Sequence, residues 1–100
     1  MTESTVAEVM ARAVTALERL ATLGEEVEDE WQYVTDLVAV YRGRFGQIAA
    51  ARAADPVTPE TARAIDLAIE EAGLITDPHR AIDWLSTLPQ IVLFTLGEAA

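Results

Sequence analysis

Five carboxylates crowd the segment just before Trp31, and such a cluster is one that a metal ion could bind. They are Glu25, Glu26, Glu28, Asp29 and Glu30. On a helix, Glu26 would share a face with Asp29 and with Glu30. Ferritin-like sites also need a Glu-x-x-His pair, and the only histidine, His79, has no Glu three positions before it. We therefore predict no metal and interpret the acids as the first turn of a helix, where the macrodipole favours each by about 0.3–1 kcal/mol.

The single histidine and the groups near it are the next candidates for chemistry. His79 follows Asp77-Pro78 in what we predict to be the first turn of a helix, and Asp83 and Ser86 lie a few residues further on. A catalytic pair requires side chains within hydrogen-bond reach, which closeness in sequence alone does not establish. We assign no catalytic residue and no cofactor, and we lean towards a protein that is not an enzyme.

Arginine carries all of the positive charge, since the chain contains seven arginines and no lysine. Arginine binds carboxylates through a planar fork of N–H donors. An arginine-lined pocket between helices would suit a small anionic molecule, so a small enzyme or small-molecule binder of this kind is an alternative function. The arginines are Arg12, Arg19, Arg42, Arg44, Arg52, Arg63 and Arg80.

The composition excludes several classes of protein. The 100 residues carry a formal charge of −10, which repels nucleic-acid phosphates and anionic membranes, so we expect neither as a partner. The absence of cysteine excludes disulfides, thiolate zinc sites and thiol catalysis. A hydrophobic content of 51% is too high for a disordered chain. The negative charge leaves a further alternative open: an acidic decoy that mimics nucleic acid in the groove of another protein.

We find no segment that would direct the chain to a membrane or out of the cell. No run approaches the roughly 18 apolar residues that a membrane span needs. The first residues, MTESTVAEVM, lack the basic and then apolar blocks of a signal peptide. We expect a soluble, cytoplasmic protein with a single domain over residues 1–100.

Capping signals and apolar spacing predict two long helices in the first half of the chain. Thr5 and Glu8 form a capping box, after which apolar residues recur every three or four positions as far as Leu20. A second apolar series predicts a helix from about residue 25 to residue 54. Asp55-Pro56 ends it, because proline forbids continuation and restricts the residue before it.

Two proline-marked starts predict shorter helices in the second half. Thr58-Pro59 combines a capping hydroxyl with proline at the first helical position, and Gly73-Leu74 indicates a left-handed C-cap with a hydrophobic contact. Asp77-Pro78 repeats the start signal, and Pro89 is expected to end or kink the fourth helix. Segment 90–96 could be strand or helix by composition. An isolated strand has nothing to pair with, so we favour a short buried helix there.

Gly24 leaves open whether the first two segments form a hairpin or one long, kinked helix. The apolar spacing passes through Gly24 in phase, and one glycine costs a helix only about 1 kcal/mol. A lone helix over residues 5–54 could not bury its own apolar stripe, so we favour a hairpin. An antiparallel fold about Gly24 also brings opposite charges together. The expected pairs are Arg12 with Asp36, Arg19 with Asp29 and Glu30, and Glu3 and Glu8 with Arg42 and Arg44.

The second segment carries a long apolar seam and four of the six aromatic residues. Spacings of four and three run from Val27 to Ile48, which is typical of helix-on-helix packing, and Tyr33, Leu37 and Val40 widen the stripe. Trp, Tyr and Arg are enriched at protein interfaces, so the seam could be an interface or simply core. The residues that we predict at an interface are Trp31, Val34, Val38, Tyr41, Arg42, Arg44 and Phe45.

Together these patterns predict an all-α protein. We expect a small helical bundle in which an antiparallel hairpin of two long helices is followed by two or three shorter C-terminal helices. The expected function is non-catalytic, as a protein–protein interaction or accessory protein. We expect the chain to self-associate through the helix over 25–54, as a homodimer or higher oligomer, with another protein as the other possible partner. The apolar segment 91–96 should be covered by its own chain or by a partner, because exposure would invite aggregation.

Overall fold

Four α-helices form the bundle in the computed structural model, which describes residues 4–98. They are α1 (Val6–Gly24), α2 (Trp31–Arg52), α3 (Pro59–Gly73) and α4 (Pro78–Thr95), with a 3₁₀ turn at Glu28–Glu30 ahead of α2. No β-strand occurs in the described part of the chain. The predicted all-α bundle, with a hairpin of two long helices followed by two shorter ones, is confirmed. None of the helices within residues 4–98 is long and apolar enough to cross a membrane.

α1 is the central helix and packs against each of the other three. The capping box predicted at its start is present: the Glu8 N–H donates to Thr5 Oγ1 (3.3 Å) and the Thr5 N–H donates to Glu8 Oε2 (3.4 Å). Apolar residues at spacings of three and four then turn one broad face inward. The buried residues of α1 are Val6, Val9, Met10, Ala13, Ala16, Leu17, Leu20, Ala21 and Gly24.

The chain reverses between Gly24 and Trp31, so the predicted hairpin is confirmed and the single long helix is excluded. Gly24 ends α1 in a buried position, where an added Cβ would lie only 3.1 Å from Cγ2 of Val34. Val27 then takes an extended conformation (φ −97°, ψ 96°) that interrupts the helix. The acidic run therefore lies in the connection and its 3₁₀ turn, and the prediction that the second helix starts at about residue 25 is wrong.

The register of the hairpin differs from the one expected for a turn at Gly24. The two helices pair about the 3₁₀ turn instead, and Arg42 of α2 contacts Glu18 of α1 at 3.2 Å. The shift arises because α1 stays helical up to Gly24 and the chain reverses only after it, over residues 25–30. Glu3, which the predicted register places near Arg42, lies outside the described residues.

The arginines of α1 contact α3 and the segment after it, and not α2 as predicted. Arg12 Nε donates to Asp66 Oδ1 at 3.1 Å. Arg19 donates to the carbonyl oxygens of Ala72 and Ile75, at 2.9 Å and 2.8 Å. Arg19 thereby satisfies backbone acceptors at the C-terminal end of α3, where a cation is favoured by the helix dipole.

Both ends of the described chain meet the end of α2 or the connection that follows it. The Val57 N–H donates to the Ser4 carbonyl at 2.7 Å. At the other end, Arg52 Nη1 donates to Glu98 Oε1 at 2.6 Å. α1 therefore begins, and α4 ends, at the same end of the bundle.

The two proline-marked helix starts are confirmed. Thr58 Oγ1 accepts a hydrogen bond from the Thr61 N–H at 3.2 Å, and Asp77 Oδ1 accepts one from the His79 N–H at 2.9 Å. Each bond satisfies a backbone donor that a first helical turn leaves without a partner, and such caps stabilise a helix by about 1 kcal/mol.

α3 and α4 end differently. Gly73 is the last residue of α3, and Leu74 follows in the right-handed region (φ −88°, ψ −8°). Gly73 does not have a positive φ, so the predicted left-handed cap there is wrong, and Leu74, which was expected to make its hydrophobic contact, is 82% exposed. The left-handed glycine is Gly97, after α4 (φ 82°). The Glu98 N–H there donates to the Leu93 carbonyl at 2.8 Å, as in a Schellman-type helix end.

α4 continues through Pro89, so the prediction of a separate helix after that residue is wrong. Residues 90–96 are nevertheless helical, which is what we favoured over a strand: residues 90–95 lie in α4, and Leu96 is its C-cap. A proline inside a helix costs about 3 kcal/mol. Fully burying one Val or Leu side chain contributes about 1.5–3 kcal/mol, and continuation of α4 buries both Val92 and Leu93. Tertiary packing thus offsets the local penalty.

Candidate functional site

Four of the residues predicted at an interface form the inner side of α2, namely Val34, Val38, Tyr41 and Phe45. Val34 and Phe45 are fully buried and Val38 is 8% exposed, all within the core of this chain. Tyr41 is half-buried beside them, and its ring centroid lies 6.3 Å from that of Phe45. These residues pack where α2 meets α1 and α4, so their surface is already used inside the chain.

The other three predicted interface residues lie apart from one another. Trp31 is 53% exposed at the first position of α2. Arg42 turns towards α1 and pairs with Glu18, and about half of each side chain is exposed. Arg44 lies on the flank of α2 that faces α4. The structure does not gather the seven residues on one surface, and their joint role at an interface stays a prediction.

A second line of residues runs along α2 beside the buried one. Tyr33, Leu37, Val40, Arg44 and Gln47 repeat at spacings of four and three, which places them on one face of a helix. Val40 is 65% exposed and Tyr33 is 47% exposed. Leu37, between them, is partly buried against the core. The line, which the sequence presents as a widening of the core stripe, therefore forms a partly exposed face of α2 that borders the core.

This exposed face of α2 borders an apolar groove of about 350 Å³ between α2 and α4. The groove exists because α4 touches α2 less extensively than it touches α1. A neighbouring cavity of about 430 Å³ shares Val40 and Arg44 with it and extends it to Gln47 and Glu98. The groove is lined by Tyr33, Asp36, Leu37, Val40, Tyr41 and Arg44 of α2 and by Gln90 and Leu93 of α4.

Polar contacts join α2 to α4 at both ends of the groove. The hydroxyl oxygens of Tyr33 and Ser86 lie 3.0 Å apart at one end. At the other end Arg52 bridges Glu98 (2.6 Å) and Asp55 (3.2 Å). The hydrogen bond to Glu98, and to a smaller extent the one to Asp55, raises the pKa of Arg52 above its ordinary value. Polar contacts therefore hold the two helices together at each end of the groove, and the apolar middle of the groove lies between these contacts.

Phe94 extends the apolar surface onto α4. Its side chain is 84% exposed, and it lies one helical turn beyond Gln90, which lines the groove. Its neighbours Val92 and Leu93 are buried, so the chain covers much of its apolar tail and leaves this ring in water. Exposed apolar residues that cluster beside a groove are typical of interaction sites.

A cleft of about 310 Å³ between α1 and α3 contains two arginines. Its lining is otherwise apolar or small, and includes Ile69 and Ala72. Arg12 is paired with Asp66, and Arg19 is bonded to backbone carbonyls at the end of α3. An anionic ligand would have to compete with these partners, so the cleft is less suited to anions than its composition suggests.

The acidic run and His79 do not assemble a reactive centre. The five carboxylates before Trp31 are exposed. Within residues 4–98, no three His, Asp or Glu side chains gather in a way that could hold a metal ion. His79 is exposed, and the hydrogen bond at that residue is made by its backbone N–H. The hydroxyl of Ser86 contacts Tyr33.

No protein-family model, curated protein or solved structure matches the chain. Its own surfaces therefore carry the functional inference. One of them combines exposed apolar side chains, a groove and charges of both signs, and we call it the α2–α4 face. The α2–α4 face comprises Tyr33, Asp36, Leu37, Val40, Arg44 and Gln47 of α2 with Gln90 and Phe94 of α4.

Proposed function

We propose that the protein is a non-catalytic interaction protein that self-associates through α2, and that the α2–α4 face is the contact surface. The observation that carries this proposal is the apolar groove whose middle, at Val40, is exposed to water. Tyr33 and Arg44 lie on either side of Val40, and both residue types are enriched at protein interfaces. The proposal includes a cytoplasmic location, in keeping with a chain that has no cysteine.

The dimensions of the α2–α4 face set the expected strength of association. From Tyr33 to Gln47 the helix rises about 21 Å, and two helices side by side are about 20 Å wide, which gives roughly 400 Å². A standard interface buries about 800 Å² on each partner. The face is smaller than that, so we expect a dissociation constant in the micromolar range, near 10⁻⁵ M in order of magnitude.

Light scattering coupled to size-exclusion chromatography tests the proposal directly. We expect the mean mass to rise from monomer towards dimer between about 5 µM and about 500 µM, which brackets a micromolar dissociation constant. A strict monomer throughout this range would overturn self-association and leave another protein as the partner.

A pair of matched variants separates the α2–α4 face from general stickiness. Val40→Glu places a charge in the middle of the groove, and we expect it to weaken association at least about tenfold, because desolvating an unpaired carboxylate is costly. Leu74→Glu is the control, since Leu74 is 82% exposed and lies outside the face. Equal effects of the two variants would show that the contact lies elsewhere.

A small-molecule binder is the second candidate function, because the cleft between α1 and α3 contains two arginines, although an anion would have to displace their partners within the chain. Small carboxylates should then raise the melting temperature of the protein, and the double variant Arg12→Gln with Arg19→Gln should abolish the rise. The acidic decoy has less support. The exposed carboxylates of residues 25–30 gather in a connection, whereas a mimic needs negative charges in a row.

A further inference from the structure

The geometry points to a particular dimer: two copies pack through the α2–α4 face with their α2 helices antiparallel, about a two-fold axis that passes beside Val40. This inference rests on the proposed function and adds the register of the contact. It starts from Asp36, Val40 and Arg44, which are spaced four residues apart and therefore lie in one line along the helix. Both charged residues line the groove together with Val40.

The charges on this line are symmetric about Val40 and opposite in sign. With antiparallel helices centred on Val40, Asp36 of each copy faces Arg44 of the other, so the contact makes two opposite-charge pairs. With parallel helices in register, Asp36 would face Asp36 and Arg44 would face Arg44. Like charges placed opposite each other disfavour a pairing, so the pattern selects the antiparallel arrangement.

Tyr33 and Gln47, which lie seven residues to either side of Val40, agree with the same register. Tyr33 of one copy faces Gln47 of the other, which opposes an aromatic ring with a hydrogen-bonding amide and introduces no charge clash. Val40 lies on the axis opposite Val40 of the second copy, and this contact would cover its side chain, which is 65% exposed. Residues at the centre of an interface carry most of its binding free energy, and here the centre is apolar.

The partners that the charged residues have within the chain leave capacity for a second contact. The Asp36 carboxylate accepts a hydrogen bond from Gln32 at 3.0 Å, and a carboxylate can accept several. Arg44 has five N–H donors, so it can bond across the interface beside any contact within its own chain. Phe94 lies one helical turn after the groove residue Gln90 and is 84% exposed, so it offers the contact a further apolar surface.

A cysteine placed at Val40 tests the two-fold axis, and the chain offers a clean background because it contains no cysteine. A disulfide requires the two Cα atoms to be about 4.4–6.8 Å apart, which facing positions on an axis satisfy. We expect Val40→Cys to form a covalent dimer under mild oxidation at least about tenfold faster than Leu74→Cys, which is more exposed. Equal rates would overturn the register.

Charge exchange gives an independent test. Asp36→Arg and Arg44→Asp should each weaken homodimerisation at least about tenfold, because each replaces two attractive pairs with two repulsive ones. A mixture of the two variants should form a heterodimer, since every cross-pair is then Arg with Asp. The double variant should regain the homodimer.

The outcomes separate this inference from the proposed function. A strict monomer of the unaltered protein overturns both and indicates a different partner for the face. If the unaltered protein dimerises, but both charge variants dimerise equally well and Val40→Cys cross-links no faster than Leu74→Cys, the register is overturned and self-association stands. Circular dichroism of each variant verifies that its helices are intact, and the cysteine variant removes no charge, so the two tests do not share a failure mode.

Discussion

α1 and α2 are both long helices, but they bury very different numbers of residues. α1 has 19 residues, of which nine are buried, whereas α2 has 22 residues and buries three. Both are rich in apolar side chains, so composition does not account for the difference. α1 packs against every other helix, and α2 lies at the side of the bundle. The apolar residues that α2 does not bury are the ones available to a second molecule.

The sharpest test of this comparison makes the same substitution on both helices. Leu17 on α1 is fully buried, whereas Leu37 on α2 is half-buried and lines the groove. We expect Leu17→Ala to lower the free energy of unfolding by about 3 kcal/mol, and Leu37→Ala by about 1 kcal/mol, because the second site leaves less of a cavity. Urea denaturation at low protein concentration measures both, and equal losses would contradict the difference in burial.

A smaller effect is expected from the cap that starts α1. Thr5→Ala removes the hydroxyl that accepts from the Glu8 N–H and should lower the free energy of unfolding by about 1 kcal/mol. Thr22→Ala is the control, because its hydroxyl only bonds to the carbonyl of Glu18 in the preceding turn. The control should change stability by less than about 0.5 kcal/mol. The same equilibrium denaturation measures both, and equal losses would show that the cap does not stabilise α1.

The smallest effect concerns the association of α2 with its copy. Two chains of charge −10 repel each other, and salt screens this repulsion over about 10 Å at 0.1 M. We therefore expect dimerisation to strengthen about threefold between about 20 mM and about 200 mM NaCl, because the long-range term exceeds that of the two local ion pairs. Sedimentation at both salt concentrations measures it. Association that weakens in salt would instead indicate an interface dominated by ion pairs.

The parts of the fold that depend on neighbouring residues could be predicted from the sequence. The capping box at Thr5 and the proline-marked starts of α3 and α4 are local hydrogen-bond patterns. The start of α2 could not be predicted, because the buried approach of Val34 to Gly24 is a tertiary contact. The passage of α4 through Pro89 has the same origin, since it is stabilised by burial of Val92 and Leu93.

The candidate site shows a different limit of the sequence. Tyr33, Leu37 and Val40 stand out by their spacing, but spacing cannot tell which of two adjacent faces of α2 packs on α1. Val34 and Phe45 occupy that inner face, which leaves the neighbouring line exposed. The exposure of Phe94 could not be predicted for a similar reason, because its neighbours in the apolar tail are buried or partly buried.

The contacts of Ser4 with Val57 and of Glu98 with Arg52 have a practical consequence. A fluorophore or a flexible linker attached ahead of Ser4 and another attached after Glu98 would emerge from the same pole of the molecule, far from the acidic turn. In the two-fold pair these poles point in opposite directions, roughly 36 Å apart, which is twice the rise of α2 from Val40 to Arg52. Anything fused to the protein would then be displayed at opposite ends of a rod.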